Sequence, residues 1–302
     1  MGIVIEAMTC SALSAVDEPL EGTAAEVRGW VCLEFTAAWG RDVLDGTALG
    51  EELATELSRR ADAADVRIMF IRHPGRSEPL TSGHTVLLAR THPDDSWCER
   101  VKIDTPFDLL DIDFAVLAGP APGLGDRVEE PMVLVCAHGK RDQCCAVFGR
   151  PVAAELVRSF GEHVWECSHT GGHRFAPSMI LLPSGYTYGR LSEADSLEAV
   201  ESAMSGSVYL PGLRGRSTWT PQGQVSEIAV RQHISCGIDD LSVMDLGAGV
   251  SIVEHVDSRR WEVETETSEL PPRPPSCGAV PKPVRPVTAK SVRELGSGLL
   301  LT

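Results

Sequence analysis

Short apolar runs alternate with an amphipathic stretch along the first 120 residues. The runs predict strands at 31–35, 66–71, 84–89 and 98–103. Leu49, Leu53 and Leu57 recur at the spacing of one helical face, so a helix is predicted that ends near Ala64. A further helical turn is predicted around Asp108–Leu110. Strand, helix, strand and strand pair is an order typical of a small α/β layer.

The same order recurs after the Gly/Pro-rich segment GPAPGLGD at 119–126, which we expect to be a domain boundary. Strands are predicted at 131–136 and 163–167, with a helix between them, and 178–191 is typical of a hairpin. Ser192 and Asp195 resemble a capping box that opens a helix through Met204. The segments VCLEFTAAWGRDVL and VLVCAHGKRDQCC also correspond, which favours a duplicated fold.

The pattern changes character in the last third of the chain. A loop is predicted from Leu210, a helix at 225–234, and strands at 249–256 and 259–265. The proline-rich tail PPRPPSCGAVPKPVRP is expected to be irregular, and the final VRELGSGLLLT to be frayed. We therefore expect an α/β protein with domains at 1–120 and 127–206 and a C-terminal extension at 207–302.

Composition narrows the classes of partner and compartment. The 302 residues carry a net charge of −16, which argues against nucleic acid or an anionic membrane as the main partner. No apolar run reaches the roughly 18 residues of a membrane span, and the N-terminus lacks a basic n-region. We expect a cytoplasmic protein without a secretory signal. Nine cysteines then favour metal or redox use, although Cys32 and Cys167 fit buried strand positions.

Candidate metal ligands lie in two short loops, each after a predicted buried strand. In VCAHGKRDQCC, Cys136 ends a strand and Cys145 lies near the start of a helix, where the helix N-terminus and Lys140 favour thiolates. In CSHTGGHRF, two glycines separate His169 from His173 and allow a tight loop with both imidazoles facing one point. Because both loops leave neighbouring strands, the four donors are expected to converge.

Two thiolates with two imidazoles suit either Zn²⁺ or an iron–sulfur cluster. Structural zinc sites usually separate their cysteines by about two to four residues, whereas eight residues lie between Cys136 and Cys145. A [2Fe-2S] cluster is wider than one ion and fits loops that are farther apart. Imidazole ligands would raise its potential above that of four-cysteine ferredoxins, and an exposed imidazole could take up a proton on reduction.

These motifs resemble the sucrase/ferredoxin-like family, which contains a thioredoxin-like ferredoxin domain. The resemblance rests on CAHGKRDQCC (136–145) and HTGGHRFA (169–176), and extends more loosely over residues 10–240. It implies two thioredoxin-like, ferredoxin-type α/β units, the second carrying the cluster. It also implies a [2Fe-2S] cluster held by Cys136, Cys145, His169 and His173. The "sucrase" part of the name implies nothing here, because no paired-carboxylate arrangement for glycoside chemistry is evident.

Several local assignments stay open at this point. Cys144 adjoins Cys145 and could replace it as a ligand, although the motif spacing favours Cys145. His138 is expected beside the ligands or exposed, with ligation a weaker alternative. An ion pair or hydrogen bonds of Arg141 and Asp142 could clamp the first loop, and Arg174 could be solvated.

We predict an electron-transfer or redox-sensing protein, a non-enzymatic electron carrier, with a redox partner protein that the sequence does not identify. All four ligand positions are occupied by protein and no general base is evident. Two alternatives remain. A thiol oxidoreductase could use Cys144 with Cys145, or Cys136, although a Cys-x-x-Cys pair is missing. A structural zinc site in a binding module is the other.

Overall fold

The computed structural model describes residues 9–75, 80 and 83–296. In the first half, a short helix precedes a strand, a longer helix and three more strands. Their bounds are α1 Cys10–Ser14, β1 Gly29–Glu34, α2 Glu51–Ala64, β2 Val66–Arg72, β3 His84–Arg90 and β4 Trp97–Ile103. A 3-10 turn at Pro106–Asp111 occupies the place of the predicted helical turn. The elements predicted for this half are confirmed.

The second half repeats this order of elements. It comprises β5 Asp126–Arg127, β6 Met132–Cys136, α3 Gln143–Phe160, β7 Val164–Cys167, β8 Ser178–Leu182, β9 Tyr186–Gly189 and α4 Glu193–Met204. The hairpin turns at Gly185, whose φ of 75° suits glycine. The hydroxyl of Ser192 accepts a hydrogen bond from the Asp195 backbone N–H at 3.1 Å, as the predicted helix cap requires.

One ten-stranded sheet runs through both halves. With β10 at Leu213–Arg216, its order is β10-β9-β8-β6-β7-β2-β1-β3-β4-β5. Strand β1 pairs parallel with β2 and antiparallel with β3, and β6 pairs in the same way with β7 and β8. The halves join where β2 and β7 pair antiparallel. The α/β class is confirmed, while the thioredoxin-like assignment and the boundaries at 1–120 and 127–206 stay predictions.

Alternate residues of the central strands face different cores. Trp30 and Cys32 of β1 share a central core with Cys136 and Cys167, whereas Val31 faces a separate core against α2. Strands that are buried on both faces appear in the sequence as continuous apolar runs, and for this reason these strands could be predicted. Cys32 and Cys167 are fully buried, as expected. The parallel register pairs Cys136 with Cys167, so the loops that follow β6 and β7 leave the sheet side by side.

The C-terminal extension contains more strand than its sequence indicated. After β10 it comprises α5 Pro221–Arg231, β11 Leu241–Gly247, β12 Val250–His255, β13 Arg260–Thr267, β14 Leu270–Arg273, β15 Lys282–Val284 and β16 Val287–Leu295. Strands β11, β12, β13 and β16 form an antiparallel sheet. Val230 of α5 packs in one core with Val253 and Trp261 of this sheet.

Three predictions for this region are wrong. The loop from Leu210 contains β10, because pairing with β9 gives this polar segment a partner. The proline-rich tail is partly ordered, since β14 pairs with β15. The first four residues of the end expected to fray, 292–295, belong to β16, which pairs with β13 along its length; the final residues 297–302 lie outside the described part of the chain. The predicted helix at 225–234 begins earlier, after the Thr220 cap.

Candidate metal centre

The first ligand loop joins the end of β6 to the start of α3. Cys136 is the last residue of β6, and Asp142 caps α3 by accepting the Cys144 backbone N–H at 2.8 Å. Cys144 and Cys145 therefore lie in the first turn of α3, where the helix dipole favours thiolates. Gly149 lets the helix approach closely, because a Cβ there would lie 2.0 Å from the Cys136 carbonyl oxygen.

The second ligand loop depends on its two glycines. Gly171 and Gly172 adopt φ values of 91° and 68°, which favour glycine. A Cβ on Gly172 would lie 2.5 Å from Arg214 Nη2 and 2.8 Å from the Phe175 ring. The loop is thus tight, as the sequence predicted, with His169 and His173 on either side of a turn whose backbone conformation favours glycine.

Three of the four predicted ligands form one group. One ligand atom each from Cys136, Cys145 and His169 lies within 4.8 Å of the others. His173 lies outside that group, but its Nδ1 is 3.3 Å from His169 Nε2 and the two rings are 4.7 Å apart. We call these four residues the cluster site. Its thiols are buried, and its imidazoles are half-buried.

The two thiols of the cluster site differ in acidity. A hydrogen bond from the Cys145 thiol holds the pKa of Cys136 well below its usual range, helped by His169. The same contact, together with burial, raises the pKa of Cys145. The pair therefore carries one thiolate readily, and a bound cation would be needed to hold two.

The surroundings of His173 keep its imidazole neutral. Burial, with the neighbouring His169, lowers the pKa of His173 to about 4, so its unprotonated ring nitrogen can act as a metal ligand near neutral pH. His169 Nδ1 is buried and finds no hydrogen-bond partner among the described residues. A buried nitrogen without a partner is costly, and metal ligation would satisfy it.

His138 connects the two loops and the first half of the sheet. Its Nδ1 accepts the His169 backbone N–H at 3.2 Å, so its Nε2 carries the proton and donates to the Gly40 carbonyl at 2.8 Å. Its ring meets Trp39 edge-on at 5.6 Å. His138 is buried and positions His169, which agrees with the expectation that it lies beside the ligands.

The half-buried Arg67 and the buried Arg214 support the second ligand loop, here called the histidine loop, and the sequence analysis did not identify them. Arg67 of β2 donates to the His169 carbonyl at 2.7 Å, and burial lowers its pKa. Arg214 of β10 is fully buried; it donates to the Gly171 carbonyl at 3.1 Å and also bonds Thr23. The sequence offered only a weak signal for this role, since each arginine lies in a strand far from the ligand motifs.

Two arginines that flank the ligands have partners that the sequence did not indicate. Nη1 of Arg141 donates to both carboxylate oxygens of Asp42 in the first half, at 2.7 and 2.8 Å, and Arg141 does not pair with Asp142. Arg174 pairs with the buried Glu18 at 2.8 Å and is not simply solvated. The loops are thus clamped, but by residues from the N-terminal part of the chain.

A second group of potential ligands adjoins the first. Cys10, Asp142, Cys144 and Cys277 each place a ligand atom within 4.8 Å of the others. We call these residues the second cysteine group. Sequence reasoning missed it because its members come from distant parts of the chain. The Cys144-Cys145 doublet was the available signal: Cys145 lies in the first group, and Cys144 lies in the second.

Fold and side chains together define an α/β protein with two Cys-containing groups that could hold metal. None of its described helices is long and apolar enough to cross a membrane. A family model described as sucrase/ferredoxin-like matches residues 20–215, and the chain belongs to that family. The match includes both ligand loops and leaves Cys10 and Cys277 outside. No curated protein and no solved structure matches the chain.

Proposed function

We propose that this protein binds a [2Fe-2S] cluster through Cys136, Cys145, His169 and His173 and acts in electron transfer or redox sensing. The observation that carries the proposal is the meeting of Cys136, Cys145 and His169 within 4.8 Å, with His173 beside His169. Both loops lie within residues matched by a family whose description includes ferredoxin. A [2Fe-2S] cluster supplies one-electron redox chemistry when it is bound.

The shape of the donor set supports two metal atoms rather than one. A single tetrahedral ion needs all four donor atoms close together. Here His173 lies beyond the group of three and contacts His169, so the donors form an elongated set. An elongated set with two sulfur and two neutral nitrogen donors fits a two-iron cluster.

The surrounding charges support a site that accepts an electron. Arg67 is half-buried and Arg214 is buried, and both cations donate to carbonyls of the histidine loop. They offset the negative charge of the Cys136 and Cys145 thiolates and would favour the reduced state. Burying these guanidinium groups is costly unless negative charge lies near, which a loaded site supplies.

The imidazoles of the cluster site are more exposed than its thiols, which indicates the side on which electrons would be exchanged. The thiols of Cys136 and Cys145 are each about 1% exposed, while His169 and His173 are half-buried. The protein therefore shields the sulfur ligands from water and presents the imidazoles toward the surface. A redox partner protein would approach on that side. The function would suit a reducing compartment such as the cytoplasm.

A visible spectrum of protein purified without oxygen tests the proposal. We expect a red-brown colour that dithionite bleaches, and the colour should be absent from a Cys136→Ser variant. Cys98→Ser is a matched control, because Cys98 is also buried in a sheet strand but lies outside both groups. Colourless wild-type protein after anaerobic cluster reconstitution would end the proposal.

A dithiol oxidoreductase is the second candidate function. The observation that favours it is the hydrogen bond from Cys145 that lowers the pKa of Cys136, as in an activated thiol pair. Their burial argues against it, because a substrate disulfide must reach the attacking sulfur. Iron-free protein that reduces disulfides, with activity lost in Cys136→Ser, would favour this candidate.

A further inference from the structure

The second cysteine group gathers three thiols from three distant parts of the chain. Cys10 begins α1, Cys144 lies in the first turn of α3, and Cys277 lies between β14 and β15. Cys10 and Cys144 are buried, and Cys277 is half-buried. The cluster site uses none of these sulfurs, so the group needs its own explanation.

The sulfur positions match the edges of a tetrahedral zinc site. The Sγ atoms lie 3.7 Å apart for Cys10 and Cys144, 3.4 Å for Cys144 and Cys277, and 3.6 Å for Cys277 and Cys10. Zinc–sulfur bonds of about 2.3 Å in tetrahedral geometry place sulfurs about 3.8 Å apart. An ion could therefore enter the triangle with small shifts of the side chains.

Asp142 supplies a fourth donor that is already oriented. Its Oδ2 lies 3.7 Å from Cys10 Sγ and accepts the Cys277 backbone N–H at 2.7 Å. Its Oδ1 accepts the Cys144 backbone N–H at 2.8 Å. Hydrogen bonds of this kind fix a ligating carboxylate, and they leave it lone pairs for a metal.

Neither a disulfide nor core packing explains this arrangement of three thiols in contact. A disulfide would consume two sulfurs and leave the third, and each Sγ here contacts both others. Core packing alone does not account for three thiols and a carboxylate oxygen that all lie within 4.8 Å of one another.

We propose that Cys10, Cys144, Cys277 and Asp142 bind one structural Zn²⁺ ion. Three sulfurs and one oxygen, all from protein, make a closed site, which is typical of structural rather than catalytic zinc. The ion would fasten the N-terminal segment and the C-terminal extension to the start of α3. Binding would release thiol protons and involve no change of oxidation state. The proposal is independent of the cluster site, since it uses different donor atoms.

Metal analysis of the purified full chain, grown with zinc and kept reduced, tests this site. We expect about one zinc per chain in the wild type. Cys277→Ser and Cys10→Ser should each weaken zinc binding by more than about 100-fold in a chelator competition. Cys236→Ser is the matched control, because Cys236 is also half-buried in the C-terminal extension but lies outside the group. It should keep its zinc.

X-ray absorption at the zinc edge of the wild type covers the case in which the variants fail to fold. We expect about three sulfurs near 2.3 Å and one oxygen near 2.0–2.2 Å. A shell with nitrogen donors, or zinc that Cys145→Ser removes, would place the ion in the cluster site and overturn the proposal. Zinc-free wild type, or full zinc retention by Cys277→Ser, would overturn it as well.

Discussion

Two neighbouring residues, Cys144 and Cys145, serve two different groups of ligands. Cys145 faces Cys136 and His169, whereas Cys144 faces Cys10 and Cys277. Successive side chains on a helix diverge by about 100°, so a cysteine doublet in one turn can supply two sites. The first turn of α3 therefore supplies one thiol to each group, and the dipole at its N-terminus favours thiolates on both sides.

The donors on the two sides differ in chemistry and in origin. The cluster site combines thiols with imidazoles from two loops of the second half, and its imidazoles are half-buried. The second cysteine group combines thiols with a carboxylate, and its segments are more than a hundred residues apart in sequence. The first combination suits electron exchange, and the second suits a structural ion.

The largest expected effect is a reciprocal loss of metals. Cys145→Ser should remove the iron and keep the zinc, whereas Cys144→Ser should remove the zinc and keep the iron, because each thiol belongs to one group. Iron and zinc content of both variants measures this. Loss of iron from Cys144→Ser with its retention in Cys145→Ser would reverse the assignment of the two ligands.

Replacing an imidazole by a thiolate should change the potential of the cluster site alone. His169→Cys or His173→Cys adds negative charge, so the midpoint potential should fall by an amount on the order of hundreds of millivolts. Redox titration followed by visible absorption measures the shift. His163→Cys is the control. His163 is half-buried and pairs with Glu130, so its replacement should leave the midpoint unchanged. An unmoved midpoint in both ligand variants would contradict imidazole ligation.

The histidine loop should be sensitive to a single methyl group. Gly172→Ala places Cβ against Arg214 and Phe175 at a φ of 68°, so we expect a loss of about 2–4 kcal/mol in the free energy of unfolding. Gly206→Ala is matched in φ at 73° but has open space around it, and should cost about 1 kcal/mol.

Urea denaturation compares these two glycine variants. Metal analysis should show that Gly172→Ala loses iron while keeping zinc, because the histidine loop belongs to the cluster site alone. Equal destabilisation of both variants would mean that the close contacts of Gly172 do not contribute to the cost of the substitution.

The smallest effect is expected from the removal of one positive charge near the cluster site. Arg67→Gln removes a cation that bonds the His169 carbonyl, so the midpoint potential should fall by an amount on the order of 50 mV. Arg59→Gln removes a mostly exposed charge on α2 and should have little influence. A midpoint that rises in Arg67→Gln would show that the charge does not favour the reduced state.

Most strands and helices up to Met204 were predictable because each carries a strong local pattern, whereas α1 and β5 were not predicted. Buried strands such as β1 and β6 are continuous apolar runs, and Ser192 marks the start of α4. By contrast, β16 is polar and exposed along much of its length, and it is held by pairing with β13 and by packing of Val292 on the neighbouring core. Such a strand has no signal in its own sequence.

The candidate sites show the same limit. The proximity of Cys136, Cys145 and His169 was predictable because these residues lie in two short motifs, where Gly171 and Gly172 indicate the loop geometry. The second cysteine group was not, because Cys10 and Cys277 have no local spacing that relates them to Cys144. The support from Arg67 and Arg214 likewise depends on tertiary packing that brings separate strands to one loop.

The most direct measurement of the central claim is the content of iron and acid-labile sulfide in protein purified without oxygen. The [2Fe-2S] account predicts about two iron atoms and two sulfides per chain, with the iron lost in Cys145→Ser. Wild-type protein that contains neither iron nor labile sulfide after anaerobic reconstitution would contradict it.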